Sequence, residues 1–147
     1  MKNIFIIFII SISTSLFAQD YSVGFKNINW GTALEEMSDQ FTKSENKIPP
    51  LKGYDRINED LKFEDFTAEL ITYGFKSDKL KGVNILIKDE HLDHLIQTWT
   101  ERYGDPKITD AGFLKNYEWH MDTFLIAVTH FTKKEGNANT TIGISQK

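Results

Sequence analysis

"ELITYGFKSDKLKGVNILIK" spans residues 69–88, and its reading decides the fold. Ile71, Tyr73 and Phe75 alternate along the first arm, and Val83, Ile85 and Ile87 along the second. A period of two puts each trio on one face of an extended chain. Between the arms, "KSDK" supplies polar residues that suit a turn. The segment is expected to be a β-hairpin at the centre of a sheet.

Downstream, "DEHLDHLIQTWTERYGDP" places Leu92, Leu95, Ile96, Trp99 and Tyr103 on one helical stripe. It opens on acidic residues, which the helix dipole favours, and closes on Gly104 and Pro106, so a helix is expected over 90–103. Three strands are then expected in "NYEWHM", "TFLIAVTHF" and "TTIGIS", with "EGNAN" as the turn before the last.

Upstream, "YSVGFKNINW" reads as a short first strand that reaches Gly31. Thr32 with Glu35 forms the T-x-x-E pattern of a capping box. Leu34, Met37 and Phe41 follow at helical spacing, so a first helix is expected over 33–43. Residues 42–67 lose periodicity around Pro49, Pro50 and Gly53 and read as a long connection. Tyr54, Ile57, Leu61, Phe63 and Phe66 are expected to tether it to the body. Strands grouped in hairpins point to the α+β class, with an antiparallel sheet of about five to six strands and two amphipathic helices on one face.

The first residues, "MKNIFIIFIISISTSLFAQD", carry one lysine, an apolar run over 4–10 and small or polar residues before Ala18. This is the layout of a signal peptide, expected over 1–18 with cleavage near Ala18 and a periplasmic or secreted product. The uninterrupted apolar stretch is shorter than the ~20 residues that a membrane-spanning helix needs. Residues 19–147 are then expected to form a single domain. Removing 18 of 147 residues leaves 129, enough for one ordinary core.

There is no cysteine, which excludes thiol catalysis, thiolate zinc sites and a lipid-bearing N-terminal cysteine. The 17 Lys plus Arg stand against 21 Asp plus Glu; without Lys2 the balance of residues 19–147 is 16 against 21, or −5. No basic stripe of the kind that binds nucleic acid is present.

Several groupings carry residue types that chemistry uses. His91 and His94, among Asp89, Glu90 and Asp93, are three apart rather than the four of H-E-x-x-H, and read as a solvated helix start. A third or fourth metal ligand would have to come from His120 or His130. Glu35 with Glu36 and Glu59 with Asp60 read as surface charge rather than an acid–base pair. No nucleophile elbow or phosphate-binding glycine loop occurs. Asn139-Thr140-Thr141 fits a glycosylation acceptor. Trp99 and Tyr103 are expected in the core, while Trp30 and Trp119, with Tyr73, Tyr117 and Tyr54, offer candidates for an exposed aromatic platform.

"INWGTALEEM", "LITYGFKSDKLKGVNILI", "LIQTWTERYGDP" and "YEWH" together resemble small exported bacterial α+β domains, and more remotely the outer-membrane assembly lipoprotein SmpA and β-lactamase-inhibitor-protein group. That resemblance implies protein–protein binding and carries over no functional residue. The expected function is therefore an exported, non-catalytic binding domain whose partner is a protein or envelope component, with no nucleic acid, cofactor, metal or catalytic residue assigned. The alternative is a small-ligand or glycan binder using Trp30, Trp119 and Tyr54. A third reading is a hydrolase built from distant residues, which would need His120 or His130 beside a carboxylate in a cleft.

Overall fold

The structure, a computed structural model, describes residues 19–132 and 140–147. The expected signal peptide, the "EGNAN" turn and Asn139 lie outside these residues. The chain first makes a small ribbon from β1 (Gly24–Phe25) and β2 (Ile28–Asn29), then a 3-10 turn at Leu34–Gln40. Strands β3 (Phe41–Lys43) and β4 (Lys52–Arg56) follow, then a second ribbon from β5 (Lys62–Phe63) and β6 (Phe66–Thr67). The expected hairpin is β7 (Leu70–Lys76) with β8 (Lys79–Ile87). A 3-10 turn at Asp89–His91 leads into α1 (Leu92–Tyr103), and β9 (Lys107–Asp110), β10 (Leu114–His120), β11 (Phe124–Phe131) and β12 (Thr140–Gln146) complete the order.

Eight of these strands form one antiparallel sheet in the order β3-β4-β7-β8-β12-β11-β10-β9. The β7–β8 hairpin is interior to it, and its alternation sets the register. Ile71, Ile85, Ile142, Val128 and Tyr117 line up across five strands, as do Tyr73, Val83, Ile144, Ile126 and Trp119. Burying such rows, at about 1.5–3 kcal/mol for each large apolar side chain, holds the sheet to its cover.

The expected two-helix α+β arrangement on five or six strands is overturned: the sheet has eight strands, and among the described residues there is one α-helix. α1 presents buried Leu92, Leu95 and Trp99 to the core and ends at Gly104, whose φ of +85° suits a residue without Cβ. The place expected for a first helix is taken by the two ribbons, whose Phe25, Ile28, Phe63 and Phe66 are buried in the same core. Residues 33–43 fail as a helix because only three apolar side chains anchor them and Phe41 gains more in a strand. The turn breaks at Met37 (φ −133°, ψ 18°). Phe41 then pairs with Arg56 and sets its ring edge-on to Tyr73 and Phe75, at 5.1 and 5.7 Å between centroids. The capping shifts by one residue: Ala33 N–H donates to Glu36 Oε1 at 3.4 Å, and Thr32 Oγ1 turns back to Asn29 O.

The 42–67 connection is likewise corrected, since it carries β4 and both strands of the second ribbon. Four of its five expected tethers bury: Phe63 and Phe66 fully, Tyr54 and Leu61 in part, while Ile57 stays 48% exposed. "YSVGFKNINW" is a ribbon rather than one strand, because Lys26 and Asn27 both turn left-handed (φ 46° and 66°), as a two-residue hairpin loop requires. No helix among the described residues is long and apolar enough to cross a membrane.

Candidate functional site

An open cleft of about 1310 Å³ lies between the first ribbon, the 56–65 segment and one flank of α1. Its walls are held by two carboxylates. Glu64 Oε1 accepts from Tyr21 Oη at 2.7 Å, Trp99 Nε1 at 3.2 Å and Arg102 Nη1 at 3.0 Å, and its Oε2 accepts from Arg102 Nη2 at 3.2 Å. One side chain thus ties the residues before the first ribbon, the second ribbon and α1 together. Glu59 Oε1 accepts from Lys26 Nζ at 3.0 Å, and its Oε2 from Tyr73 Oη at 2.7 Å, joining the first ribbon to the sheet. Lys26 Nζ also donates to Asp60 O.

Two features mark this region. Of the six non-glycine residues with positive φ among the described residues, four line the cleft: Lys26, Asn27, Asn58 and Glu64. Such backbone is held only where its surroundings over-determine it, and it concentrates at binding and active sites. Of the four large apolar side chains left exposed among the described residues, Val23 (59%) and Ile57 (48%) also line it.

The electrostatics favour rigid donors. Burial, and then the neighbouring carboxylates, push the Tyr21 and Tyr73 hydroxyls far above the ordinary 10.0, so both stay protonated and donate. Burial opposes the charge of Arg102, but the hydrogen bonds it gives to Glu64 and Tyr103 outweigh that and raise its pKa. Each glutamate is occupied by its donors, an arrangement that fixes walls.

The histidines disperse. His94 Nε2 meets Asp65 Oδ2 at 2.6 Å on the cleft rim, with both side chains 59% exposed. His91 instead stacks on Phe66 at 4.6 Å. His120 Nε2 lies 2.9 Å from Glu118 Oε2 on the same strand, and hydrogen bonding from His120 is the first cause that holds Glu118 below the usual carboxylate range. His130 Nδ1 lies 2.9 Å from Thr140 Oγ1, whose proton goes to Asp89 Oδ1 at 2.9 Å. With its one proton directed to Asp89, the buried Thr140 hydroxyl accepts from His130 Nδ1, so that imidazole does not act on it as a base. Neither His120 nor His130 lines the cleft, and among the described residues no three His, Asp or Glu side chains converge as metal ligands.

The expected aromatic platform is largely interior. Trp119 is 2% exposed and donates Nε1 to Gly104 O; Trp30 is half-buried and donates Nε1 to Tyr21 O. Tyr54 sets its ring against Phe75 at 5.3 Å. Glu36 serves as a cap, and Glu59 and Asp60 bind Lys26 rather than pair for acid–base work. Sequence reasoning missed Glu64, Tyr21 and Val23. The one local signal was Glu64-Asp65 between Phe63 and Phe66, the pattern of a two-residue hairpin loop. No protein-family model matches this chain, and no curated protein or solved structure matches it either, so the meaning of the site rests on its own geometry.

Proposed function

We propose that the protein works by binding, and that the cleft between the first ribbon, the 56–65 segment and α1 receives a segment of a protein or envelope component. The observation that carries this reading is the coincidence, in one open cleft, of rigid walls, strained turns and the exposed aliphatic side chains Val23 and Ile57. Interfaces are built in this way, with apolar anchors inside a polar rim. The proposal includes export: the lysine and apolar run of residues 1–18 support removal of that segment near Ala18, with a periplasmic or secreted product.

A photo-crosslinking residue placed at Ile57, and separately at Ile108 on the far edge strand β9, tests the site in cells of the native host. The expected result is a discrete adduct from Ile57 and none from Ile108. Equal labelling from both, or none from Ile57, overturns the assignment. N-terminal sequencing of the protein recovered from the envelope or medium tests export, and a retained Met1 refutes it.

A further inference from the structure

We infer that the occupant of this cleft is a basic polypeptide segment with an aliphatic side chain near its middle; the inference rests on the binding function proposed above. The argument is one of charge left over after internal pairing. The cleft is lined by six carboxylates and four Lys or Arg side chains. Two of those cations are consumed by the buried glutamates, Lys26 by Glu59 and Arg102 by Glu64. The Arg56 guanidinium is turned to Gln40 Oε1 at 3.2 Å, and Lys62 is the fourth cation, so six carboxylates against four cations leave the lining a net −2.

Asp20, Asp39 and Asp60 remain on exposed positions of the lining, and no ion pair to a cation engages their carboxylates among the described residues. Asp20 accepts from Ser22 and Asp60 from the Lys62 amide, and neither partner is a cation. Hydrogen bonding with Ser22 also holds Asp20 below the usual carboxylate range, so it stays charged in neutral solution.

The excess of carboxylates gives the cleft a negative potential. In a concave site such a potential is focused, and it draws a cation in faster than bulk diffusion would. Val23 and Ile57 supply what charge alone does not, an apolar seat that water leaves when the ligand arrives. A basic segment with a Val, Ile or Leu between lysines or arginines satisfies both. An acidic segment meets like charge, and a wholly apolar one leaves three carboxylates facing it.

The test uses residues 19–147 and three labelled peptides: one alternating lysine with leucine, one alternating glutamate with leucine, and one of glycine and serine. Binding is followed by fluorescence anisotropy at low and physiological salt. The lysine peptide is expected to bind at least tenfold tighter than either other peptide, and to weaken as salt rises. Asp39→Asn with Asp60→Asn should weaken it about fivefold. Glu45→Gln with Asp122→Asn removes the same charge outside the cleft and should change it less than twofold. Equal weakening by the two double variants, or equal binding of the lysine and glutamate peptides, overturns the inference. A cellular adduct at Ile57 that survives Asp39→Asn with Asp60→Asn unchanged would overturn it too, while leaving the binding function standing.

Discussion

Replacing Glu64 by alanine should cost this protein about 4 kcal/mol. The substitution leaves two buried donors without an acceptor, because Tyr21 is 1% exposed and Trp99 is 0% exposed and both give hydrogen bonds to Oε1. Each stranded buried donor is assigned about 1.5 kcal/mol, in the lower half of the usual range of about 1–3 kcal/mol. Arg102 also loses a two-point partner, but its side chain is 26% exposed, so water replaces part of that loss and about 1 kcal/mol is assigned to it. In urea, with a slope of about 2 kcal/mol per molar, the unfolding midpoint should fall by about 2 M. Glu64→Gln keeps one acceptor oxygen and should lose about half as much. The backbone at residue 64 has φ +50°, which costs an alanine as much as a glutamate. Glu64→Gly removes that strain and should therefore be about 1 kcal/mol more stable than Glu64→Ala. A midpoint shift below about 0.5 M for the alanine variant would refute the claim that this carboxylate holds the cleft wall. Glycine no better than alanine would refute the strain component alone.

Alkaline solution should destabilise the protein through Tyr21 and Tyr73. Their folded pKa values lie above the unfolded 10.0, so the stabilisation is complete below that pH and is lost as pH rises beyond it. These two tyrosines give a slope of about 2.7 kcal/mol per pH unit, to which Tyr103, also raised by burial, adds; Tyr73→Phe should lower the slope by about 1.4 kcal/mol per pH unit, and an unchanged urea midpoint from about pH 9 to 11 contradicts this. At the β7–β8 turn, Ser77 and Asp78 both have positive φ (50° and 57°), and the Lys52–Asp78 pair is 3.9 Å long between largely exposed side chains. Asp78→Gly should therefore stabilise by about 1 kcal/mol and raise Tm by about 3 °C, and a fall in Tm would count against a left-handed turn there. In the first ribbon, a Cβ on Gly24 would stand 2.1 Å from the backbone oxygen of Ile28. Gly24→Ala should cost about 2–3 kcal/mol and expose Lys26 to trypsin, and wild-type resistance to trypsin would show that the ribbon tolerates it.

Sequence pattern revealed elements in proportion to how one-sided their burial is. The period-two trios of β7 and β8, the apolar stripe of α1 and the alternation in β10 to β12 each face one core, and each is found where expected. β9 has all four residues exposed, and β4 holds a single apolar side chain, Tyr54, among charged and small ones. Neither carries a periodic signal: β9 is an edge strand specified by its neighbour's backbone, and β4, paired on both sides by β3 and β7, has only exposed or half-buried residues. The expected helix at 33–43 failed for a related reason: Leu34, Met37 and Phe41 satisfy a helical spacing by sequence alone, while Tyr73 and Phe75 offer Phe41 a better place. The site was hidden more deeply. Glu64 is an ordinary surface-type residue until Tyr21, Trp99 and Arg102 arrive from 35 to 43 positions away. Such a meeting leaves no mark within any short window.

The position of β12 between β8 and β11 bears on how the molecule is made. Ribosomal synthesis delivers Leu70–Lys76 with Lys79–Ile87, and later Leu114–His120 with Phe124–Phe131, as two separate halves with no edge in common. Thr140–Gln146 is the only piece that hydrogen-bonds to both, and it emerges after every other strand described. The sheet therefore stays in two parts until that strand has emerged, and closes by pairing across more than fifty positions of sequence. Deleting that one strand should leave two fragments of sheet with no hydrogen bonds between them, and any cellular factor that handles unfolded chains has the interval before it emerges in which to engage.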